Sequence, residues 1–170
     1  IHDKMISFDD EIERLHYLVD NNFYFNVFEK YSEAELSEIT EYAKSIHFQF
    51  ASYMSASKFY KDYALKTNDK TKFLEDYNQH VAIVALYLAN GNVKQAKQFI
   101  SAMVEQRYQP ATPTFLNAGR ARRGELVSCF LLEIDDSLNS INFIDSTAKQ
   151  LSKIGVVWPL IYLNFVHVEK

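Results

Sequence analysis

The segment QPATPTFLNAGRARRGELVSCFLLEIDDSLNSI, residues 109–141, decides how this chain is read. It holds Pro110, Pro113, Gly119, Gly124 and Cys129, in a sequence that has only 3 prolines, 4 glycines and 1 cysteine in all. Two prolines fix backbone angles and remove donors, and two glycines bracket Arg120, Arg122 and Arg123, so PATPTFLNAGRARRG is expected to be loop or extended chain. The run that follows, ELVSCFLLEI, is apolar, β-branched and aromatic, and is closed by Asp135 and Asp136; it predicts a buried strand from Leu126 to Ile134. Ser137 then suits the cap of a helix from about Leu138 to Lys153, with Leu138, Ile141, Ile144, Ala148 and Leu151 on one face. Strand, acidic turn and helix in that order open an α/β unit.

Upstream, the grammar is helical. SFDDEIERLHYLV begins with Ser7 as the expected cap and places Ile12, Leu15, Leu18 and Val19 on one face. SEAELSEITEYAKSI repeats the pattern, with Ser32 as cap, Glu35 reaching back to it, and a helix from about Glu33 to His47. SASKFYKDYALKT predicts a shorter aromatic-faced helix. DKTKFLEDYNQHVAIVALYLANGN predicts a longer one, almost wholly apolar between Val81 and Leu88 and therefore central to the core. Gly91 suits the left-handed position after that helix, and Asn92 with Gln95 caps the next, VKQAKQFISAMVEQRY. The expected fold class is mainly α, a bundle of about five helices followed by one strand-helix unit. The domains are set at residues 1–108 for the helices, 109–155 for loop, strand and helix, and 156–170 for an apolar tail.

Composition limits the function. At 170 residues with 48% hydrophobic and 24% charged content, the chain can build one sizeable core. A net charge of -4 gives no excess of Lys and Arg to meet a nucleic-acid backbone, so no nucleic-acid partner is expected. A single cysteine forms no intrachain disulfide and the opening IHDKMISFDD is unlike a secretory leader, so a cytoplasmic location is expected. The apolar stretch Val156 to Val168 is too short to cross a bilayer and is broken by Pro159; it is expected to promote self-association, with no membrane partner. His2, His16, His47, His80 and His167 show no metal-ligand spacing, and neither a Walker loop nor GxGxxG is present, so no metal is expected and the histidines read as solvent-facing or helix-packing. Read from the residues alone, Cys129 is a small buried hydrophobe or a reactive thiol, the arginines form a solvated loop tip, and the two aspartates end the strand and complement the helix dipole.

Taken together, RYQPATPTFLNAGRARRGELVSCFLLEIDDSLNSI closely resembles the segment of class I ribonucleotide reductase catalytic large subunits, particularly the Ib subclass, that joins an N-terminal helical region to a ten-stranded α/β barrel. ASYMSASKFYKDYALKTNDKTKFLEDYNQHVAIVALYLANG looks like that family's helical domain, and the likeness runs from about Ser7 to Gly155. The resemblance implies reduction of ribonucleoside diphosphates to deoxyribonucleoside diphosphates for DNA synthesis. It assigns Thr112 and Ser128 to binding of the ribonucleoside diphosphate substrate. Cys129 is implied both in that site and as the redox cysteine, which reduces the ribose 2' carbon and then pairs with a second cysteine. Asp136 is implied as a contact to the deoxynucleoside triphosphate effector.

No cofactor is expected in this chain itself; the family uses deoxynucleoside triphosphate or ATP effectors and a metal-radical cofactor in the partner subunit. Implied partners are that radical-generating small (beta) subunit, the remainder of the large subunit, and a glutaredoxin-like or thioredoxin reductant. After Gly155 the sequence IGVVWPLIYLNFVHVEK departs from the family's glycine-rich continuation, and the family's other functional cysteines do not occur in it. The chain is therefore expected to be truncated and inactive alone. The alternative is a non-catalytic helical interaction module or the inert product of an interrupted gene.

Overall fold

The computed structural model describes residues 4–122, 124–127 and 129–153, and the backbone of 160–164. Ser128, Arg123, His2, His167 and the rest of the apolar tail lie outside the described residues. The chain divides into two compact units, one of Ile1–Pro110 with Phe115–Arg123, the other of Ala111–Thr114 with Gly124–Lys170.

The first unit is helical. Helix α1 spans Glu11–Asp20, α2 Glu33–Ser45, α3 Tyr53–Lys58, α4 Tyr77–Ala89 and α5 Val93–Val104. Their starts are set by short side chains that accept from the otherwise unpaired first-turn amides. Ser32 and Glu35 form the expected reciprocal capping box, and Asn92 accepts from the Gln95 amide. At α1 the cap is Asp10 rather than Ser7: its carboxylate accepts from the Glu13 amide at 2.8 Å. At α4 the cap is Asp76, paired reciprocally with Gln79, so the helix starts well after Asp69 and the preceding residues form a turn against Phe73. Helix α3 passes directly into a π-helical turn, Phe59–Tyr63, which brings Phe59 into the core.

Helix α4 is the centre of this unit. His80, Val81, Ala82, Ile83, Val84, Ala85 and Leu86 are all buried, and both α2 and α5 pack on this helix. A helix covered all round needs no polar face, which is why its sequence lacks one. It closes with Asn90 and then Gly91 in left-handed conformations, at φ 45° and 96°.

The second unit carries strand β1, Leu131–Asp135, helix α7, Leu138–Lys153, and strand β2, Leu160–Asn164. The strand is shorter than expected and begins at Leu131, since residues 126–127 and 129–130 make no ladder. β2, from within the apolar tail, pairs with β1 in parallel, Leu131 opposite Leu160 and Asp135 opposite Asn164. With α7 between them, these strands make a βαβ unit. A second correction concerns the proline-rich segment. Thr112–Asn117 is a helix, α6, rather than loop. Pro113 is its second residue, in the first turn, where a missing N–H interrupts no helical hydrogen bond.

Candidate functional site

Thr112, Cys129 and Asp136 all fall in the second unit, each on a different kind of local structure. Thr112 opens α6 and is exposed. Two residues on, the Thr114 hydroxyl donates to the Leu126 carbonyl at 2.9 Å, which ties the start of α6 to the chain that leads to Cys129. Cys129 lies two residues ahead of β1 and is exposed, so the reading of a buried small hydrophobe is set aside. A thiol that reaches solvent can meet a substrate or a second thiol.

Asp136 is exposed and follows the last residue of β1. The turn around it is tightly specified: the Ser137 amide donates to the Asp135 carbonyl at 2.8 Å, the Asp135 amide to the Ser140 hydroxyl at 2.9 Å, and the Ser140 amide to the Ser137 hydroxyl at 3.2 Å. Ser137 thus caps α7 as expected. A five-residue strand at about 3.3 Å per residue separates its ends by roughly 16 Å. Cys129 and Asp136 therefore flank opposite ends of β1.

The first unit contains an ionic cluster that the sequence reading did not find. Glu75 is fully buried, yet its carboxylate accepts from Arg120 Nη2 at 2.5 Å, Arg120 Nη1 at 3.1 Å, the Leu65 amide at 2.8 Å and the Tyr24 hydroxyl. His80, also fully buried, bridges the same carboxylate through Nδ1 and the Phe115 carbonyl through Nε2, each at 2.8 Å. Burial works against ionisation of Glu75; the Arg120 guanidinium and the His80 ring override it and hold the carboxyl well below the usual range. The same burial, with the Glu75 charge beside it, raises the Tyr24 phenol well above its ordinary value.

Arg14 lies 5.8 Å from the centre of the Tyr24 ring, paired with Glu11 at 2.5 Å and donating to the Leu74 carbonyl at 3.1 Å. Arg120 therefore belongs to the core, not to a solvated loop tip. The only sequence signal was indirect: Arg14 stands four residues before Leu18 on the apolar face of α1, and His80 immediately precedes the all-apolar run of α4.

The family model for the ribonucleotide reductase N-terminal region matches residues 1–48, and the model for the ribonucleotide reductase all-alpha domain matches residues 49–123. The chain belongs to the ribonucleotide reductase alpha-subunit family. A ribonucleoside-diphosphate reductase subunit alpha of Bacillus subtilis (strain 168) is 52% identical over 156 residues, which are 91% of this chain and 22% of that protein. The NrdEB subunit alpha of Bacillus phage SPbeta is 53% identical over 156 residues, 91% of this chain and 14% of that protein. A subunit alpha of Mycoplasma pneumoniae is 48% identical over 142 residues, 83% of this chain and 20% of its own length. The kinship with NrdEB supports the Ib-like placement. The chain spans about a fifth or less of the length of these relatives.

Within the ribonucleotide reductase frame, the Glu75 cluster lies in the region of the all-alpha domain match, joined by Arg14 and Tyr24 from the N-terminal one. Among the described residues, no group of three or more His, Cys, Asp or Glu side chains is placed to hold a metal ion, and no helix is long and apolar enough to cross a membrane.

Proposed function

We propose that this chain supplies the helical N-terminal region and the first substrate-facing loop and strand-helix unit of a ribonucleoside-diphosphate reductase catalytic subunit, with β1 and α7 opening its α/β barrel. The observation that carries the reading is the pairing of an exposed Cys129 just ahead of β1 with a threonine-bearing helix start tied to the same approach by the Thr114–Leu126 hydrogen bond. In this reading the Thr112 and Ser128 hydroxyls hold the ribonucleoside diphosphate. A hydroxyl is a neutral donor and acceptor that serves phosphate or ribose oxygen equally.

Cys129 is the reductant. Its thiol and that of a second cysteine, contributed by the remainder of the subunit, lose two electrons and two hydrogens to become a disulfide; the ribose 2' carbon gains hydrogen and its hydroxyl leaves as water. A glutaredoxin-like or thioredoxin reductant then restores both thiols, and a radical-generating beta subunit, with its metal-radical cofactor, starts each cycle. Asp136, across β1, belongs to the effector site for a deoxynucleoside triphosphate.

The test is formation of dCDP from CDP, with beta subunit, thiol reductant and effector present, by this chain alone and by this chain joined to the remaining length of the Bacillus subtilis alpha subunit. Turnover by the fusion that Cys129→Ser abolishes, the first cycle included, supports the assignment. Repeated turnover by the Cys129→Ser fusion, or turnover by the chain alone, overturns it.

A further inference from the structure

Asn90 is the one asparagine in the sequence that glycine follows directly, and it is exposed at the corner between α4 and α5. This dipeptide is the most reactive setting for an asparagine, because glycine leaves its backbone nitrogen unshielded for attack on the preceding side-chain amide. The corner holds it in one arrangement. Asn90 sits at φ 45° and ψ 50° and Gly91 at φ 96°, both left-handed. The Asn90 amide donates to the Leu86 carbonyl at 3.2 Å, and the Asn92 amide to the Ala89 carbonyl at 3.0 Å. Buried Tyr31 donates through its hydroxyl to the same Leu86 carbonyl at 2.8 Å, and the Gly91 amide hydrogen-bonds to the Tyr31 oxygen. The Lys30 carbonyl lies 3.3 Å from where a Gly91 Cβ would stand, so this stretch of backbone is hemmed in.

On a tetrahedral carbon of L configuration, ψ 50° sets the Gly91 nitrogen almost trans to the Asn90 Cβ. Closure of a succinimide ring needs the two nearly eclipsed, so the peptide between them must turn by close to half a revolution before the nitrogen reaches Cγ. That turn breaks the Gly91–Tyr31 contact and opens the corner. We propose that Asn90 is a gated modification site: the closed corner preserves its amide, and opening of the corner, latched by the Tyr31 hydroxyl, converts it to aspartate and isoaspartate. In the open state the Gly91 nitrogen gives up its proton and bonds to Cγ, the Cγ–Nδ2 bond breaks, and the side-chain amide group leaves with that proton as ammonia. Water then opens the succinimide at either carbonyl, and no oxidant or reductant takes part. Either product puts a new negative charge at the C-terminal end of α4, against the helix dipole. Isoaspartate also routes the backbone through Cβ, one methylene longer, so α5 no longer closes on α4 in the same way. A transient opening thereby becomes a permanent chemical record.

The test is peptide mapping by mass spectrometry of the full chain aged at mildly alkaline pH, folded and in concentrated urea. In urea, Asn90 is expected to convert to both aspartate and isoaspartate. In the folded wild type the rate is expected to be at least about tenfold lower, since only the locally opened fraction reacts. Tyr31→Phe keeps the ring and removes the hydroxyl, and is expected to raise the folded rate about two- to tenfold, the effect of one hydrogen bond. Circular dichroism checks that this variant folds; where it does not, the latch is read in the wild type as slowed hydrogen exchange of the Gly91 amide. A folded wild type that reacts as fast as the chain in urea overturns the proposal. So does a folded Tyr31→Phe chain with an unchanged rate, or a wild-type Gly91 amide that exchanges as it does in the unfolded chain. Aspartate without isoaspartate means direct hydrolysis and overturns the succinimide route.

Discussion

Arg120 meets Glu75 across 45 residues of sequence in a two-pronged ion pair, Nη2 to Oε1 at 2.5 Å and Nη1 to Oε2 at 3.1 Å, with Glu75 wholly inaccessible to solvent. Around this pair the backbone of Tyr24 and Arg120 forms an antiparallel bridge, flanked by hydrogen bonds from Phe25 to Gly119 and from Ala121 to Phe23, each 3.0 Å. The loop after α6 is thus bound to the helical core by a charged side chain and by its own backbone.

Because the ions are buried, removing one partner is costlier than the pair is stabilising: the survivor keeps its charge and loses its counterion. Glu75→Gln should destabilise the chain by about 3 kcal/mol or more, at the lower edge of the range for breaking a buried pair because Gln keeps the shape and part of the hydrogen bonding. Chemical denaturation at neutral pH reads this directly. A change under about 0.5 kcal/mol, typical of surface positions, would refute the structural role given to the cluster.

The same pair shapes the acid limb of stability. Burial pushes the Glu75 carboxyl up but Arg120 and His80 pull it further down, so in the folded protein it lies well below the usual glutamate range. Its stabilisation is complete above the unfolded value and drains as pH falls through the folded one. Glu11, opposed by burial but lowered by Arg14 and Lys44, works in the same sense, whereas Asp76, raised by burial, works in the opposite one. Denaturation midpoints should therefore fall for the wild type between about pH 5 and 3, with a shallower fall in Glu75→Gln. Parallel curves for the two proteins would exclude Glu75 as the source.

Gly119 marks a position where only glycine fits. Its φ is +83°, and a Cβ built there would meet Ile83 Cγ1 at 2.6 Å and the Ile83 carbonyl oxygen at 3.0 Å. Gly119→Ala combines left-handed strain with a collision against the backbone of α4, and should cost about 1 to 3 kcal/mol. Gly91→Ala has a mildly tight neighbour, the Lys30 carbonyl at 3.3 Å, and should cost less when both variants are compared by chemical denaturation.

The helices were legible because their signals are local. Ser32 with Glu35, Asn92 with Gln95, and Ser137 before α7 each settle a boundary within one turn, and the unbroken apolar run from Val81 to Leu86 announces a helix with no exposed face. The Arg120–Glu75 contact was illegible for the converse reason: its partners are 45 residues apart, and an arginine between glycines reads as exposed until the fold supplies a buried carboxylate. Pro113 misled in another way, since proline halts a helix everywhere except in the first turn, where the structure places it. At the candidate site, family likeness selected Thr112, Cys129 and Asp136; strand alternation alone gave no way to tell that β1 begins only after Cys129.

The two ends of β1 make the last prediction separable. Thr112 and Cys129 belong to the approach to the strand, Asp136 to its exit, and roughly 16 Å of β-structure lies between. In the fusion with the remaining alpha subunit, Thr112→Val removes one hydroxyl from the proposed diphosphate contact and should cost roughly 1 to 3 kcal/mol of binding, read as a KM for CDP raised about five- to 150-fold. Because Asp136 touches no substrate in this reading, Asp136→Ala should leave KM and turnover without effector unchanged and raise the effector concentration needed for stimulation. The two defects should add in the double variant, as distant independent sites do. An Asp136→Ala enzyme whose KM for CDP rises in the absence of effector would show that the strand does not separate two sites, and the division of labour drawn from β1 would fall with it.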